Sequence, residues 1–299
     1  MKTATFVAGL LLVFTLASRA KGEDFCKTTS RLAFQSCRYA AQSDYRLALG
    51  KCANLSDPDT RKACKAQAMA DYKEAQGDCK DQRDARLDIC ERLGGAPYDP
   101  VINPSNFVSQ INNPFLPLAP GTTFYYLGGG ESNVVIVTEN TKVILGVTCV
   151  EVRDIAYTNG EAVEDTLDWF AQDKDGNVWY FGENSRELSG GLVVSLEGSW
   201  TAGEDGAKPG IAMKAAPAVG DFYRQEFALG VAEDIAEVLG LTDSVTVPYG
   251  MFNNCLKTQE TVPLEPDALE HKFYAAGVGL VLVVDVATGE RLELIHVED

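Results

Sequence analysis

The chain has 299 residues and a net charge of −17, with 43 acidic side chains against 26 basic ones. A chain of this length can bury a hydrophobic core of its own. The acidic excess argues against nucleic-acid binding, because phosphate contacts require clustered Lys and Arg. It permits binding of cations or of a basic partner.

Residues 1–22 have the pattern of a secretory signal peptide. A basic start at Lys2 precedes an apolar run over residues 6–17, and the small residues Ala20 and Gly22 provide a cleavage site. The apolar run is shorter than the ~20 residues that cross a bilayer. We therefore predict an exported protein, periplasmic or extracellular, without a membrane span, and a retained signal anchor is the alternative.

Residues 23–95 contain six cysteines with palindromic spacing. When the outermost, middle and innermost cysteines are paired, their residue numbers sum to 116 each time, as in two antiparallel arms. The spacings of 11 and 15 within each arm are close to whole helical turns, so the sulfur atoms share one face. The sequence predicts a helical hairpin with three nested disulfides, Cys26–Cys90, Cys37–Cys79 and Cys52–Cys64.

The hairpin requires these crosslinks because two helices alone bury too little apolar surface. Each disulfide stabilises by about 2–4 kcal/mol. Asp57 and Pro58 have the residue types of an N-cap and a first helical position, and Gly94 follows the second arm. A metal cluster of six thiolates is disfavoured, because no Cys-x-x-Cys pair and no neighbouring histidine is present.

Residues 96–121 contain six prolines and are predicted to form a linker that packs onto the following domain. From residue 122 to 299, short runs of alternating apolar and polar residues are separated by Gly, Asn and Asp. This pattern predicts a large antiparallel β domain, either a curved sheet or a barrel.

Residues 23–95 carry a net charge of +1, whereas residues 96–299 carry −21. In an oxidising compartment, the remaining cysteines, Cys149 and Cys255, are predicted to pair, and free buried thiols are the alternative.

Three runs in the β domain carry a resemblance to a known family. They are residues 113–124 (NPFLPLAPGTTF), 168–183 (DWFAQDKDGNVWYFGE) and 273–281 (FYAAGVGLV). Together they resemble a family of uncharacterised exported bacterial β-proteins over most of residues 105–299. The third run is similar to the closing strands of lipoprotein-carrier-like curved sheets, although members often have proline where this chain has Ala276. The resemblance implies a concave sheet that holds an apolar ligand, and it implies no activity.

A β-hairpin turning at Asp175 and Gly176 contains the candidate ligand-binding residues. A two-residue turn there would place Phe170, Trp179 and Phe181 on one face and Trp169 and Tyr180 on the other. Aromatic residues on both faces suggest that one set meets the core and the other a ligand. The candidates are Trp169, Phe170, Trp179 and Tyr180, and core packing is the alternative.

The same turn contains the candidate metal ligands Asp173, Asp175 and Asn177. Closely spaced oxygen ligands resemble the start of a calcium loop, but position 12, where a bidentate Glu is needed, is Asn184. A tight turn is the preferred interpretation. Other acidic residues that could bind Ca²⁺ or remain solvated are Glu161, Glu164, Asp165, Asp168, Glu233 and Asp234.

Catalytic machinery is hard to assemble from this sequence. The only histidines, His271 and His296, fall on predicted strands separated by another strand, and no nucleophile elbow or phosphate-binding loop is present. We expect a binding protein without cofactor rather than an enzyme. Its β domain would hold an apolar small molecule or lipid, and its hairpin would dock a protein partner. The alternatives are an assembly protein that self-associates through the hairpin, and cation binding by the acidic domain.

Overall fold

The computed structural model describes residues 23–299, and the predicted signal peptide lies outside them. Two N-terminal helices form a hairpin, and a large antiparallel sheet follows, so the predicted fold class is confirmed. Neither of the helices in residues 23–299 is long and apolar enough to cross a membrane.

The hairpin consists of α1 (Phe25–Ala53) and α2 (Pro58–Leu93). Asp24 caps α1 and Asp57 caps α2, each accepting a backbone N–H of the first turn. The predicted disulfides Cys26–Cys90, Cys37–Cys79 and Cys52–Cys64 are confirmed, with Cα–Cα distances of 5.6, 5.7 and 5.6 Å. Three disulfides are consistent with an exported protein.

The remainder of the described chain is mostly strand, after a short 3₁₀ turn at Pro104–Asn106. The strands are β1 (Phe107–Val108), β2 (Ile111–Asn113), β3 (Leu116–Leu118), β4 (Thr123–Gly128), β5 (Glu131–Ile144), β6 (Val147–Thr158), β7 (Glu161–Asp173), β8 (Val178–Asn184), β9 (Glu187–Ser189), β10 (Leu192–Ser195), β11 (Trp200–Thr201), β12 (Lys208–Met213), β13 (Phe222–Arg224), β14 (Glu226–Phe227), β15 (Ile235–Val247), β16 (Gly250–Val262), β17 (Glu265–Ala275), β18 (Gly279–Asp285) and β19 (Arg291–Glu298).

The large sheet is nearly closed on itself. Strands β4 to β8 form one antiparallel meander and β15 to β19 another, and β19 pairs with β4 to join them. On the other side β12 pairs with β8 and β14, and β13 pairs with β15, which brings the two meanders round to each other. His271 and His296 lie on β17 and β19, with β18 between them.

The interior of this sheet is a hydrophobic cluster contributed by strands from its whole circumference. Phe124, Val152, Leu256, Val281 and Leu294 are among its buried members. Successive residues of a strand point to opposite faces of the sheet. Residues from so many strands can contact one another on one face only because the sheet curves around them. A second cluster, which includes Trp169, Phe181 and Trp200, involves β5 to β8, β11 and the loops after β11 and β14.

The proline-rich segment is packed against the sheet, in agreement with its apolar residues. Ile102 and Phe107 pack against the second cluster. Beyond them, β2 and β3 form a separate two-stranded ribbon, and Ile111 and Leu118 of this ribbon belong to the interior cluster. Gln172 holds the ribbon, since its Oε1 accepts the backbone N–H groups of β2 at 2.8 Å.

The predicted disulfide between Cys149 and Cys255 is wrong. Both thiols are unbonded and buried. Cys255 belongs to the interior cluster and Cys149 to the second cluster, so the sheet separates them. Burial raises the pKa of Cys149 to about 12 and also raises that of Cys255. Two buried thiols thus behave as small apolar side chains.

Candidate functional site

A pocket of about 630 Å³ lies where the helical hairpin meets the β domain. We call it the junction pocket. Its apolar walls come from three parts of the chain, with Ile89 and Leu93 from α2, Tyr98 from the proline-rich segment, and Phe222 and Phe227 from β13 and β14. Neither the hairpin nor the sheet encloses this space alone.

The hairpin wall of the junction pocket is fixed by the crosslink at its base. Cys26 and Cys90 both line the pocket, and their disulfide joins the start of α1 to the end of α2. The backbone N–H of Phe25 donates to the carbonyl of Gly95 at 2.9 Å, which ties the two ends again. The helix ends therefore present a preformed surface to the pocket.

A buried ion pair attaches the hairpin to the sheet. Arg86 of α2 donates from Nε and Nη2 to both carboxylate oxygens of Glu233, at 2.9 and 2.7 Å, and the two side chains are 6% and 2% exposed. The backbone N–H of Gly230 also donates to Glu233. The pair lines the pocket, while Nη1 of Arg86 is buried without a partner.

A second, more exposed contact lies beside it. Arg92 of α2 donates to Glu237 at 2.6 Å, and its guanidinium lies 3.6 Å from the ring centroid of Phe222. Gln82 donates to the backbone carbonyl of Leu264 at 3.0 Å. These contacts run along one side of α2, so the hairpin has a defined orientation on the sheet.

Arg224 of β13 is a second guanidinium in the junction pocket. It is buried, and its guanidinium lies 4.7 Å from the ring centroid of Phe227 and 5.6 Å from that of Tyr98. Burial lowers its pKa; the charge of Glu233 opposes this shift and that of Arg86 adds to it. Its side chain forms no hydrogen bond or ion pair with another of residues 23–299, and its nitrogen atoms are not sealed from solvent as Nη1 of Arg86 is. The pocket thus combines apolar walls with an unpaired cation.

The four aromatic candidates do not form one site. Trp179 lines the junction pocket, whereas Trp169 belongs to the second cluster and lies under the ammonium group of Lys142, 3.3 Å from its ring centroid. Phe170 and Tyr180 stack on each other with centroids 4.7 Å apart. Only Trp179 of the four therefore contacts the junction pocket.

The predicted faces of this hairpin were wrong by one residue of register. The turn is centred on Asp175, with Gln172 opposite Val178 and Phe170 opposite Tyr180. A two-residue turn at Asp175 and Gly176 would instead place Phe170 opposite Phe181. Since side chains alternate with a period of two, a shift of one residue moves every side chain to the other face.

Asp173, Asp175 and Asn177 lie in or beside this turn. The carboxylate of Asp173 accepts from the backbone and side chain of Asn177, both at 2.9 Å, and from the indole N–H of Trp179 at 2.8 Å. Its oxygens thus stabilise the turn. No group of three or more His, Cys, Asp or Glu residues that could hold a metal ion occurs in the part of the chain that the structure describes.

Several carboxyl groups lie on the sheet with strongly raised pKa values. Burial raises the pKa of Glu183 to about 7 and those of Asp154 and Asp234 to about 6. Burial also raises the pKa values of Asp168 and Glu226 well above the usual range. Like charges within the group add to these shifts, so the group favours partial protonation near neutral pH.

Sequence reasoning missed the residues that define the junction pocket. Glu233 was expected at a solvated surface or in a cation site, but it is buried against Arg86. Arg86 lies among many charged residues of α2, and Arg224 stands alone in a short strand. Arg86 meets Glu233 and Arg224 meets Tyr98 across more than a hundred residues, and the contact of Arg224 with nearby Phe227 does not mark it in the sequence.

Comparison with known proteins gives little further information. No protein-family model and no curated protein matches the chain. Among solved structures, it is similar to a protein of Parabacteroides distasonis provisionally described as a lipoprotein, with 14% identity and a TM-score of 0.31 over 63% of this chain and 100% of the other. This is a weak and distant likeness. The resemblance to exported bacterial β-proteins stays a prediction.

Proposed function

We propose that this protein is an exported, non-catalytic binding protein that holds an apolar or amphipathic ligand in the junction pocket. The single observation that carries the proposal is the pocket itself. Its volume of about 630 Å³ lies in the range of ~300–1,000 Å³ typical of small-molecule sites, and its walls are mainly apolar.

The proposed ligand site is the junction pocket, whereas the sequence suggested the concave face of the sheet. The apolar interior of the sheet is occupied by its own side chains, including Ile111 and Leu118 of the ribbon. In the proposed arrangement, the hairpin is therefore one wall of the ligand site rather than only a docking arm. A ligand bound there contacts both parts and stabilises their association by mass action.

Binding of a neutral apolar dye tests this proposal. We expect N-phenyl-1-naphthylamine to bind with increased fluorescence, and Leu93→Trp to abolish binding because the indole fills the pocket beside α2. Leu47→Trp is the matched control, since Leu47 is an exposed residue of α1 that does not line the pocket. Equal dye binding by Leu93→Trp and the wild type would contradict the proposal.

The second candidate function is self-association or partner docking through the hairpin. It is favoured by Leu32, Tyr39 and Leu47, which are exposed by 50%, 70% and 60% on α1. Their spacings of seven and eight residues place them on one side of the helix. Light scattering of the wild type and of Leu32→Ser/Tyr39→Ser/Leu47→Ser tests self-association, and a monomeric wild type would exclude it.

A further inference from the structure

The guanidinium of Arg224 has the surroundings of an anion-binding group. Arg224 is only 9% exposed, and its guanidinium carbon lies over the rings of Phe227 and Tyr98, 4.7 and 5.6 Å from their centroids. The two rings are inclined to each other by 68°, so the guanidinium can lie flat against at most one of them. Contact with a ring face uses none of the N–H donors of the guanidinium in a hydrogen bond to an oxygen acceptor. Within residues 23–299 these N–H groups form no hydrogen bond, and they are not sealed from solvent.

The charges in the junction pocket do not balance. Arg86 and Arg224 contribute two positive charges, and Glu233 contributes one negative charge that both Nε and Nη2 of Arg86 engage. The remaining acidic residue on the pocket wall, Asp205, is exposed at its margin and is not among the charges that shift the pKa of Arg224. One positive charge is therefore left uncompensated.

An uncompensated charge in an apolar site is costly, because burial removes most of its hydration. The fork of N–H donors on arginine matches the two oxygens of a carboxylate, and such charge-assisted pairs are about twice as strong as neutral hydrogen bonds. A ligand that carries one carboxylate would supply both the missing charge and the missing acceptors.

We propose that the ligand of the junction pocket is an amphipathic monoanion whose carboxylate binds Arg224. This inference rests on the proposed function, since it specifies the chemical class of ligand for the same pocket. The carboxylate lies against the free N–H edge of Arg224, and the apolar chain extends along Ile89, Leu93 and Phe222. An uncharged or cationic amphiphile of equal length fills the same apolar space but leaves the guanidinium unpaired.

Displacement of N-phenyl-1-naphthylamine by three amphiphiles with the same chain tests the head group. We expect dodecanoate to bind the wild type at least tenfold more tightly than dodecan-1-ol, and dodecylammonium to bind more weakly than either. In Arg224→Met the advantage of dodecanoate over dodecan-1-ol should disappear, while the affinity for dodecan-1-ol should be retained. Arg291→Met, at an exposed site outside the pocket, is the control and should behave as the wild type.

Two further measurements keep the test independent of folding. Methionine replaces an uncompensated charge by an apolar chain, so the melting temperature of ligand-free Arg224→Met should equal or exceed that of the wild type. Arg224→Lys retains the charge but loses the planar fork, and it should bind dodecanoate several-fold more weakly than the wild type. Wild-type affinity of Arg224→Lys and Arg224→Met for dodecanoate would overturn the inference.

The outcomes separate this inference from the proposed function. If dodecanoate and dodecan-1-ol bind the wild type equally, and Leu93→Trp excludes both, the pocket binds apolar ligands but the assignment of the head group is wrong. If neither the dye nor any amphiphile binds, the proposed function fails and the inference fails with it.

Discussion

The helical hairpin and the β domain are stabilised in different ways. Among the 29 residues of α1 and the 36 of α2, only eight are buried, and three of these are cysteines in disulfides. The β domain instead encloses a continuous hydrophobic cluster and leaves both of its cysteines as free thiols. Covalent crosslinks thus replace a core where the chain cannot build one.

The difference also determines where a ligand site can form. The β domain fills its apolar interior with its own side chains, and the hairpin has no interior. A concave apolar surface forms at the boundary, where α2 meets β13 and β14. A domain with a filled core and a hairpin without a core can therefore form a pocket where they meet.

Removing the disulfides should have the largest effect on this contrast. A reducing agent cleaves the three crosslinks, each worth about 2–4 kcal/mol, so we expect the helical signal in far-UV circular dichroism to fall. The β signal in circular dichroism and the fluorescence of Trp169 and Trp200 should persist, because both residues are buried in the second cluster. Trp179 is not a reporter for this purpose, since it lines the junction pocket.

The control for this experiment is Cys149→Ala/Cys255→Ala, which lacks the free thiols but retains the crosslinks. Its helical signal should fall on reduction as that of the wild type does. A helical signal unchanged by complete reduction would show that the hairpin is held by packing after all.

Breaking the ion pair between the two parts should have the next largest effect. Glu233→Gln leaves the buried guanidinium of Arg86 without its anion, and loss of one partner of a buried pair costs about 3–5 kcal/mol. Urea unfolding measures this loss. The matched control is Glu237→Gln, which removes the partly exposed partner of Arg92 and should cost at most about 1 kcal/mol. Equal losses would mean that burial of the first pair has no energetic significance.

The third effect is a pH dependence that belongs to the β domain. Asp154, Asp234 and Glu183 bind protons more tightly in the folded chain, with pKa values of about 6, 6 and 7. The folded state then holds more protons than the unfolded state, so stability falls as pH rises from about 5 to 8. A pKa about two higher in the folded state corresponds to about 3 kcal/mol for one group.

Thermal unfolding followed by tryptophan fluorescence measures this dependence, with a higher melting temperature expected at pH 5 than at pH 8. Glu183→Gln should weaken the dependence. The lowered pKa of His271 acts in the opposite direction at the acidic end, because its protonation there disfavours the folded state. A melting temperature that rises with pH would mean that these carboxyl groups are ionised without penalty.

The sequence predicted the hairpin in detail because its constraints are local and redundant. The constant sum of cysteine numbers, the helical spacing and the cap at Asp57 all specify one arrangement. In the β domain, the existence of strands was evident from alternation, but their register was not. A turn centred on Asp175 rather than placed between Asp175 and Gly176 was enough to exchange Trp169 and Phe170 between the two predicted faces.

The candidate site was beyond sequence reasoning for a different reason. Arg86 meets Glu233 across 147 residues, and Arg224 meets Tyr98 across more than a hundred. Nothing local distinguishes these residues from solvated charges until the docking of α2 on the sheet is known. The failed pairing of Cys149 with Cys255 has the same origin, since sequence alone did not reveal that the two residues lie in separate clusters.

The nesting of the three disulfides has a consequence for oxidative folding. Cys52 and Cys64 are separated by 12 residues, whereas Cys26 and Cys90 are separated by 64. Closing a short loop costs less entropy than closing a long one. Once the innermost bond has formed, Cys37 and Cys79 lie at the ends of two arms of equal length, each 15 residues from the crosslink. Oxidation can therefore proceed in order from the tip of the hairpin to its base. This order favours one of the ~15 possible pairings of six cysteines. In this order the bond that closes last is Cys26–Cys90, whose two cysteines line the junction pocket.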